Sequence, residues 1–359
     1  MVQVDETEEP GAMTSRRQAL GVMGATISAG AAMPALGAPL REPMAPPALV
    51  PQTDLVDVLE YEAQARLVLG SAKVAPILGS DRSVTDRITL RPRMNIPTRD
   101  LDLTCTLFGD AHFTPIIVGP IAGQKRFHPD GEVAMAHGAS AAQAAMVISD
   151  DTSAPLATIA GAATTPLYLQ VDAKRPNVKT MLAQAPTAKA VFVTMNADGP
   201  ASTHIDWAAV DAVVKATSLP VIVKGITRPQ EAKEAVARGA KGVVVSNWRG
   251  VAALPGTLLL VAPVVQAVGD QVPVLVDGSF RRGTDILKAL AFGAKGVLIG
   301  RPVMWGLAAY GADGVQGVVE MLQTELARYM CMCGRPTLAA VDSSLVRVHA
   351  SVAPVKHRG

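Results

Sequence analysis

Aromatic residues are scarce in this chain of 359 residues, and no run of one charge sign stands out. Phe, Trp and Tyr make up 4% of the sequence while hydrophobic residues make up 49%, so Ala, Val, Ile and Leu must build the core. Such a composition is typical of parallel strands that are buried on both faces. The formal net charge is +2 without a basic block, so no nucleic-acid partner is indicated.

Cysteine is also rare, with only Cys105, Cys331 and Cys333 in the chain. An odd number, two of them separated by one residue, is a poor basis for a disulfide framework. No His or Cys pair lies near them at the spacing of metal ligands, so the sequence predicts no metal site. We interpret the three as packing residues.

The first fifty residues differ in character from the rest of the chain. Arg16-Arg17 precedes a weakly apolar stretch at 19–36, a pattern typical of a twin-arginine (Tat) export signal. Ala35-Leu36-Gly37 supplies small residues for cleavage. The apolar stretch is too short and too rich in glycine to span a bilayer stably.

We therefore predict a Tat-type signal peptide at 1–37, followed by a proline-rich linker at 38–53. The protein would then be periplasmic or extracellular; the alternative is a cytoplasmic protein in which the arginine pair is accidental. Residues 1–12 are acidic and fit poorly in a signal peptide, which leaves Met1 and Met13 as alternative starts.

From Pro115 onward the chain repeats a short apolar run, a loop and an amphipathic helix. The predicted strands are Pro115–Gly119, Met146–Ser149, Pro166–Val171, Ala190–Met195, Pro220–Gly225, Gly242–Asn247, Pro273–Gly278 and Gly296–Arg301. The predicted helices include Asp130–Ala144, Trp207–Thr217, Arg228–Arg238, Thr257–Val268, Gly283–Phe292 and, as the last, about Val315–Met330.

Eight such alternations predict an α/β fold, a single closed (β/α)8 TIM barrel over residues 54–345. Residues 54–110 precede the first strand, and we expect them to form a short helical and hairpin cap at the base of the barrel. Residues 346–359 would be a C-terminal tail.

Chemistry in such barrels lies at the carboxyl ends of the strands. The predicted strand ends are mostly polar residues or glycine, whereas the strand interiors are apolar. The positions are Gly119-Pro120, Ser149, Gln170, Thr194, Lys224, Ser246-Asn247, Asp277-Gly278 and Gly300-Arg301. Together they predict a functional face.

The loops after the last two strands predict a phosphate site. Asp277-Gly278-Ser279-Phe280-Arg281 leads into a helix, and Gly300-Arg301-Pro302 follows the eighth strand. Small residues let backbone N–H groups approach a dianion, a helix N-terminus adds a favourable dipole, and arginine supplies charge. Loops seven and eight are where barrels commonly bind a phosphate.

These motifs resemble the FMN-dependent α-hydroxy-acid oxidase/dehydrogenase family, of the glycolate oxidase and L-lactate dehydrogenase type. The resemblance covers about residues 55–340. It rests on the segments Glu60–Ala63, Leu90–Arg93, His128–Glu132, Leu219–Gly225, Val245–Asn247, Val274–Gly278, Arg282–Asp285, Lys288–Ala291 and Ile299–Pro302.

The resemblance implies FMN as the cofactor and assigns its contacts. Pro120, Ile121 and Ala122 would lie along the flavin, and Ser149 would hydrogen-bond its ring. Thr194 would sit near the pyrimidine side, and Lys224 would hold N1/O2, where an ammonium stabilises anionic reduced flavin. The remaining contacts, to the ring, the ribityl chain and the phosphate, would come from Gln170, Ser246, Asp277, Gly278, Ser279, Arg281, Gly300 and Arg301.

The sequence departs from the family where substrate binds. Trp248 stands at the position of the family's catalytic histidine, and Val251 at that of the arginine that holds the substrate carboxylate. Indole has no basic nitrogen, so Trp248 cannot act as a general base, and the catalytic residue is unknown. The family's strand Phe-Gln-Leu-Tyr reads Leu167-Tyr168-Leu169-Gln170 here, so the glutamine and the tyrosine have changed places. The family's long loop after the fourth strand is shortened to Asn196–Thr203.

Other residues could serve the substrate side. His128 and His204 are alternative bases, Arg126 and Arg249 could attract an anion, and Trp248 could stack on a planar ligand. No tyrosine follows Lys73, where the family usually has one.

Three functions remain open from the sequence. The first is an exported oxidoreductase acting on the CH–OH group of an anionic 2-hydroxy acid or relative, with a quinone, a cytochrome or oxygen as electron acceptor. The second is an FMN-binding protein without that chemistry. The third is a barrel enzyme that grips a phosphate-bearing metabolite. Homo-oligomerisation is compatible with each.

Overall fold

A computed structural model describes residues 48–79, 82–93, 96–185, 187–194, 205–248, 254 and 256–350. The predicted signal peptide lies outside these residues, so it stays a prediction. Within the described residues, no helix is both long and apolar enough to cross a membrane.

The strands are short, as expected for a buried parallel sheet. They are β1 (Ile88–Leu90), β2 (Cys105–Leu107), β3 (Asp110–His112), β4 (Ile116–Val118), β5 (Ala145–Ile148), β6 (Leu167–Asp172), β7 (Ala188–Thr194), β8 (Val221–Ile226), β9 (Gly242–Val245), β10 (Val274–Asp277), β11 (Gly296–Ile299) and β12 (Val346–Val348). The α-helices are α1 (Val58–Val74), α2 (Gly131–Ala141), α3 (Leu156–Ala162), α4 (Val178–Ala183), α5 (Trp207–Ala216), α6 (Pro229–Ala237), α7 (Thr257–Val268), α8 (Gly283–Ala291) and α9 (Arg301–Met332).

Strands β4 to β11 close into a parallel barrel in chain order, and β11 pairs back onto β4 with Val297 opposite Ile116. Each barrel strand overlaps the segment predicted for it. The predicted (β/α)8 barrel is therefore confirmed.

Strand alternation sorts the side chains into an outer and an inner set. The outer set packs under the helices and includes Val118, Leu169 and Val193. The inner set forms a separate apolar layer inside the barrel, and its barrel members are Ile117, Ala145, Val147, Tyr168, Ala190, Phe192, Ile222, Val244, Leu275 and Leu298.

The hairpin of β2 and β3 closes the base of this layer, which confirms the hairpin part of the predicted cap, whereas the helical part, α1, packs against α9. Leu107 belongs to the inner apolar cluster, and the ring of Phe108 packs edge-on against Tyr168 at a centroid distance of 5.8 Å. Gly242 permits the approach, because a Cβ there would lie 2.8 Å from the Phe108 ring. Tyr168 and His112 are joined by a buried 2.8 Å hydrogen bond between hydroxyl and Nε2.

Two features differ from the predicted boundaries. The last helix begins at Arg301 rather than near Val315, and it changes direction at Gly311, where φ is +62°. Glycine adopts this left-handed backbone without the steric cost of a Cβ. Residues 346–348, assigned to the tail, form β12, which pairs antiparallel with β1.

Candidate active site at the mouth of the barrel

One residue at the carboxyl end of each barrel strand, in the strand or directly after it, contributes to a ring, here called the mouth ring, two residues beyond the inner apolar layer. Since alternate residues of a strand face the same side, these eight residues face the barrel axis, as the inner apolar layer does. The mouth ring consists of Gly119, Ser149, Gln170, Thr194, Lys224, Ser246, Asp277 and Gly300. The structure thus brings together the strand-end residues that the sequence predicted to form a functional face.

Lys224 forms the charged part of the mouth ring. Its side chain is nearly buried, and Nζ lies 2.9 Å from Oδ2 of Asp277 and 3.4 Å from Oγ of Ser246. The same ammonium lies 5.9 Å from the centre of the Trp248 ring. A cation is therefore fixed at the mouth by neighbours on β10 and at the end of β9.

The opposite arc of the mouth ring is neutral. Ser149 Oγ accepts from the Asp151 amide at 3.2 Å, and Thr194 Oγ1 donates to the Val171 carbonyl at 3.3 Å. Gln170 Oε1 is buried and has no hydrogen-bond partner among the described residues. A buried acceptor of this kind is costly unless a ligand donates to it.

A cleft of about 420 Å³ opens beside the mouth ring, within the size range of small-molecule sites. Its lining includes the predicted residues Ile121, Trp248, Asp277, Gly278, Ser279, Arg281, Gly300 and Arg301. Pro120 and Ala122 are half-buried neighbours of Ile121 outside the lining set. The cleft wall also contains Val84 and Thr85, which the sequence analysis missed.

The loop after β10 has backbone geometry suited to an anion. Gly278 and Ser279 have φ values of +108° and +57°, so consecutive residues take left-handed conformations. Such turns can direct successive N–H groups into one concavity. Thr257 fixes the start of the loop, since its Oγ1 donates to the Asp277 carbonyl at 2.7 Å. A Cβ on Gly300 would meet no atom within 4 Å, so the space beside it is open to a ligand.

Two arginines converge at this end of the cleft. Arg281 Nη2 and Arg301 Nη1 donate to the carbonyl oxygen of Gly79 at 2.9 Å and 2.6 Å. Arg281 is buried, stacks over Trp305 at 4.7 Å, and its Nε has no partner in the described structure. Burial, together with the nearby charge of Arg301, lowers the pKa of Arg281 to about 9. The pair of cations is therefore suited to a bound anion.

Asp285 anchors the same loop from beneath. Its buried carboxylate accepts from the amides of Arg281 and Arg282 at 2.9 Å and 3.0 Å. Arg82 pairs with it at 2.7 Å and attaches the segment before β1 to the loop. This attachment brings Val84 and Thr85 to the cleft. Their short sequence segment gave no signal of that role.

Trp248 defines the other end of the cleft. Its indole is 40% exposed, and its amide donates to Ser246 Oγ at 3.4 Å. The predicted contributions of Arg249, Val251, His204 and Asn196–Thr203 lie outside the described residues.

The structure does not bring His128 or Arg126 into the cleft. His128 lies in the loop just before α2, where Nδ1 accepts from the Asp130 amide at 3.2 Å and a Cβ on Gly311 would lie 3.1 Å from Nε2. Arg126 donates to the carbonyls of Ala122 and Gly123, so it braces the loop after β4. Among the residues that the structure describes, no histidine lines the cleft.

The site fits FMN. Arg281, Arg301 and the left-handed turn at Gly278-Ser279 suit a phosphate dianion at one end. In the mouth ring beside the cleft, the unpartnered Gln170 oxygen and the Lys224 ammonium suit a planar ring with hydrogen-bond donors and electron-rich atoms. Within the described residues there is no cluster of His, Cys, Asp or Glu arranged to hold a metal ion.

Comparison with known proteins agrees with this geometry. A family model described as FMN-dependent dehydrogenase matches residues 65–204 and 197–348. The chain is 33% identical to a peroxisomal (S)-2-hydroxy-acid oxidase of Oryza sativa subsp. japonica, over 81% of this chain and 95% of the relative. It is 32% identical to glycolate oxidase of Spinacia oleracea, over 81% of this chain and 95% of that protein.

Solved structures with the same fold include two flavoenzyme relatives. Mandelate oxidase with 3,3-difluoro-2-hydroxy-3-phenylpropionic acid superposes with a TM-score of 0.76 at 31% identity, over 82% of this chain and 100% of that one. A variant of flavocytochrome b2 gives a TM-score of 0.77 at 27% identity, over 85% and 91% of the two chains. The chain belongs to the FMN-dependent dehydrogenase family, and FMN is its cofactor.

Proposed function

We propose that this protein is an FMN-dependent oxidoreductase for the CH–OH group of a small 2-hydroxy acid or a relative, with an altered substrate side. One observation carries the proposal. The mouth ring and the two arginines fit FMN, while Trp248 occupies the cleft end where the resemblance implies a histidine. The relatives named above include an (S)-2-hydroxy-acid oxidase, a glycolate oxidase and a mandelate oxidase, which supports the reaction class.

When bound, FMN supplies a two-electron acceptor. The chain's own residues then have two tasks: to hold the cofactor in place and to set the charge near its ring. Arg281 and Arg301 would bind the phosphate, and Gln170 would accept a hydrogen bond from the ring. Lys224 places a positive charge at the mouth, where it favours negative charge on a bound ring.

The substrate side lacks an evident proton acceptor among the described residues. Trp248 offers only an N–H donor. Asp277 is a carboxylate of the mouth ring, but it already forms a 2.9 Å ion pair with Lys224. Loss of a positioned base typically lowers the rate by about 10²–10⁴. We therefore expect slow oxidation of ordinary 2-hydroxy acids.

Anaerobic absorption spectroscopy of the purified protein tests this function. The protein should show the flavin spectrum, and a 2-hydroxy acid within a panel of aliphatic and aromatic members should bleach it. If no member bleaches the flavin over hours, hydroxy-acid oxidation by this protein is refuted.

The absence of a described histidine in the cleft also favours a second candidate, an FMN-binding protein without hydroxy-acid oxidation. Here dithionite would reduce the bound flavin while every hydroxy acid leaves it oxidised. Reduction by both reagents would reject this candidate.

Export through the Tat route is part of the proposal and rests on Arg16-Arg17 and the apolar stretch after them. That route carries folded proteins, which suits an enzyme that takes up its cofactor in the cytoplasm. Electrons would then pass to a quinone, a cytochrome or oxygen. Cell fractionation of wild type and of Arg16→Lys with Arg17→Lys tests it, since the variant should stay in the cytoplasm. An equal distribution of both proteins would support the cytoplasmic alternative.

A further inference from the structure

Glu132 is a buried carboxylate that the proposed function leaves without a role. It lies in the first turn of α2 and is 1% exposed. It accepts hydrogen bonds from the amides of Gln124 and Ser153, both at 3.0 Å, and from the Ser153 hydroxyl. Gln124 belongs to the loop after β4 and Ser153 to the loop after β5, so one carboxylate joins two loops.

Further hydrogen bonds extend this connection toward the cleft. On the first loop, Gln124 Nε2 donates to the carbonyl of Ile121, a cleft-lining residue, at 3.2 Å. On the second loop, the Asp151 amide donates to Ser149 Oγ at 3.2 Å, and the Asp151 carbonyl accepts from Gly123 at 2.8 Å. The residues at the two ends of the network are those expected to lie against the flavin.

The start of α2 is shaped for this contact. Gly131 has φ +47°, and a Cβ there would lie 2.9 Å from the Lys125 amide nitrogen and 3.2 Å from Ser153 Oγ. Lys125 in turn donates its amide to Ser153 Oγ at 3.0 Å. Only a glycine lets the helix come close enough for Glu132 to reach both loops.

Two other helices also begin with a buried carboxylate that holds a loop, but each of those carboxylates pairs with an arginine. Glu231 accepts from the Thr227 amide at 2.8 Å and pairs with Arg228 at 2.9 Å. Asp285 pairs with Arg82. Within the described chain, Glu132 forms no ion pair with Lys or Arg, so its charge is held by amide and hydroxyl donors alone. A buried charge held in this way depends on each of its hydrogen bonds.

We propose that Glu132 is a positioning residue that fixes the loops after β4 and β5 and thereby sets where Ile121 and Ser149 lie against FMN. The proposal rests on the function proposed above for the cofactor side. It concerns loop geometry and has its own readout in the cofactor-free protein.

The first arm measures hydrogen–deuterium exchange of the full chain without FMN. Glu132→Ala should raise exchange in peptides covering 121–126 and 149–154 and leave the barrel strands protected. Glu132→Gln keeps an acceptor oxygen for the two amides and should return exchange toward wild type. The matched control, Glu231→Ala, should leave both peptides unchanged, because its donors belong to the loop after β8.

The second arm measures bound FMN. Glu132→Ala should raise the dissociation constant for FMN by about tenfold and alter the visible spectrum of the bound flavin, because loss of the acceptor leaves buried donors unpaired. Glu132→Gln should recover most of both. If Glu132→Ala does not fold, Ser153→Ala removes one donor and should give smaller changes in the same direction.

The proposal is wrong if Glu132→Ala lowers the melting temperature while loop exchange and the flavin spectrum stay at wild-type values. A wild-type protein that takes up no FMN would instead refute the proposed function. The exchange arm would still show whether Glu132 holds the two loops.

Discussion

Lys224 and Asp277 form an ion pair of 2.9 Å that bridges over the end of β9 at the mouth of the barrel. The two residues lie on β8 and β10, and Ser246 at the end of the strand between them contacts the same ammonium. Three adjacent strands thus fix one positive charge. A ligand that approaches the mouth meets a cation already held in place.

Replacing Lys224 with methionine keeps most of the length of the side chain and removes the charge. FMN affinity should fall, since a hydrogen bond to a charged group contributes about 1.5–3 kcal/mol, or roughly 10- to 150-fold in Kd. Fluorescence titration of the cofactor-free protein measures the change. Lys241→Met, at an exposed position before β9, is the control and should bind FMN normally. Equal affinity of both variants would show that Lys224 does not contact the cofactor.

The converging arginines predict discrimination between FMN and riboflavin, which differ by the phosphate. Wild type should bind FMN more tightly, and Arg301→Met should reduce the ratio of the two affinities by roughly 10-fold or more, because one charge-assisted contact is lost. Riboflavin affinity itself should change little. The control Arg347→Met alters an exposed residue of β12 and should preserve the ratio. If wild type binds FMN and riboflavin with equal affinity, the phosphate of FMN does not lie at these arginines.

The buried His112 predicts a loss of stability in mild acid. Burial lowers the pKa of His112 below its ordinary value of 6.5, despite opposing contributions from Asp110 and the Leu107 backbone. As the pH falls through 6.5, the unfolded chain takes up the proton before the folded one. The contribution of this site is therefore fully present above that pH and declines below it.

Urea denaturation between about pH 7 and pH 5 measures this effect. The wild-type midpoint should fall more steeply than that of His112→Gln, whose amide oxygen can still accept from Tyr168. Parallel pH profiles for the two proteins would show that His112 is not the titrating group.

Much of the barrel follows from local pattern. Apolar runs such as Pro220–Val223 are followed by a polar residue, and the period of two that buries Ile222 also turns Lys224 into the mouth. The mouth ring could be predicted because barrel closure brings all strand ends to one face. The resemblance to the family then gave the cofactor.

Contacts between distant segments could not be predicted in this way. The Arg82–Asp285 pair joins residues 203 positions apart, and it brings Thr85 to the cleft together with Lys288, whose ammonium donates to the Thr85 carbonyl at 3.0 Å. Glu132 was visible only as part of a motif, because its role depends on two loops meeting at the start of α2. The early start of α9 was hidden by Gly311, whose left-handed backbone interrupts the helix, so that the helical turns before it did not read as part of the last helix.

The altered substrate side can be tested by restoring the family's residues at positions 248 and 251. Trp248→His combined with Val251→Arg returns a base and a carboxylate-binding cation to the positions that the resemblance assigns to them. If the cofactor side is intact, anaerobic bleaching by 2-hydroxy acids should accelerate by about 10²–10⁴ in the double variant, since a positioned base contributes that much. The matched control, Trp248→Phe with Val251→Arg, restores the cation without a base and should accelerate far less. Rapid bleaching by wild type, with no gain in the double variant, would mean that another group already removes the substrate proton.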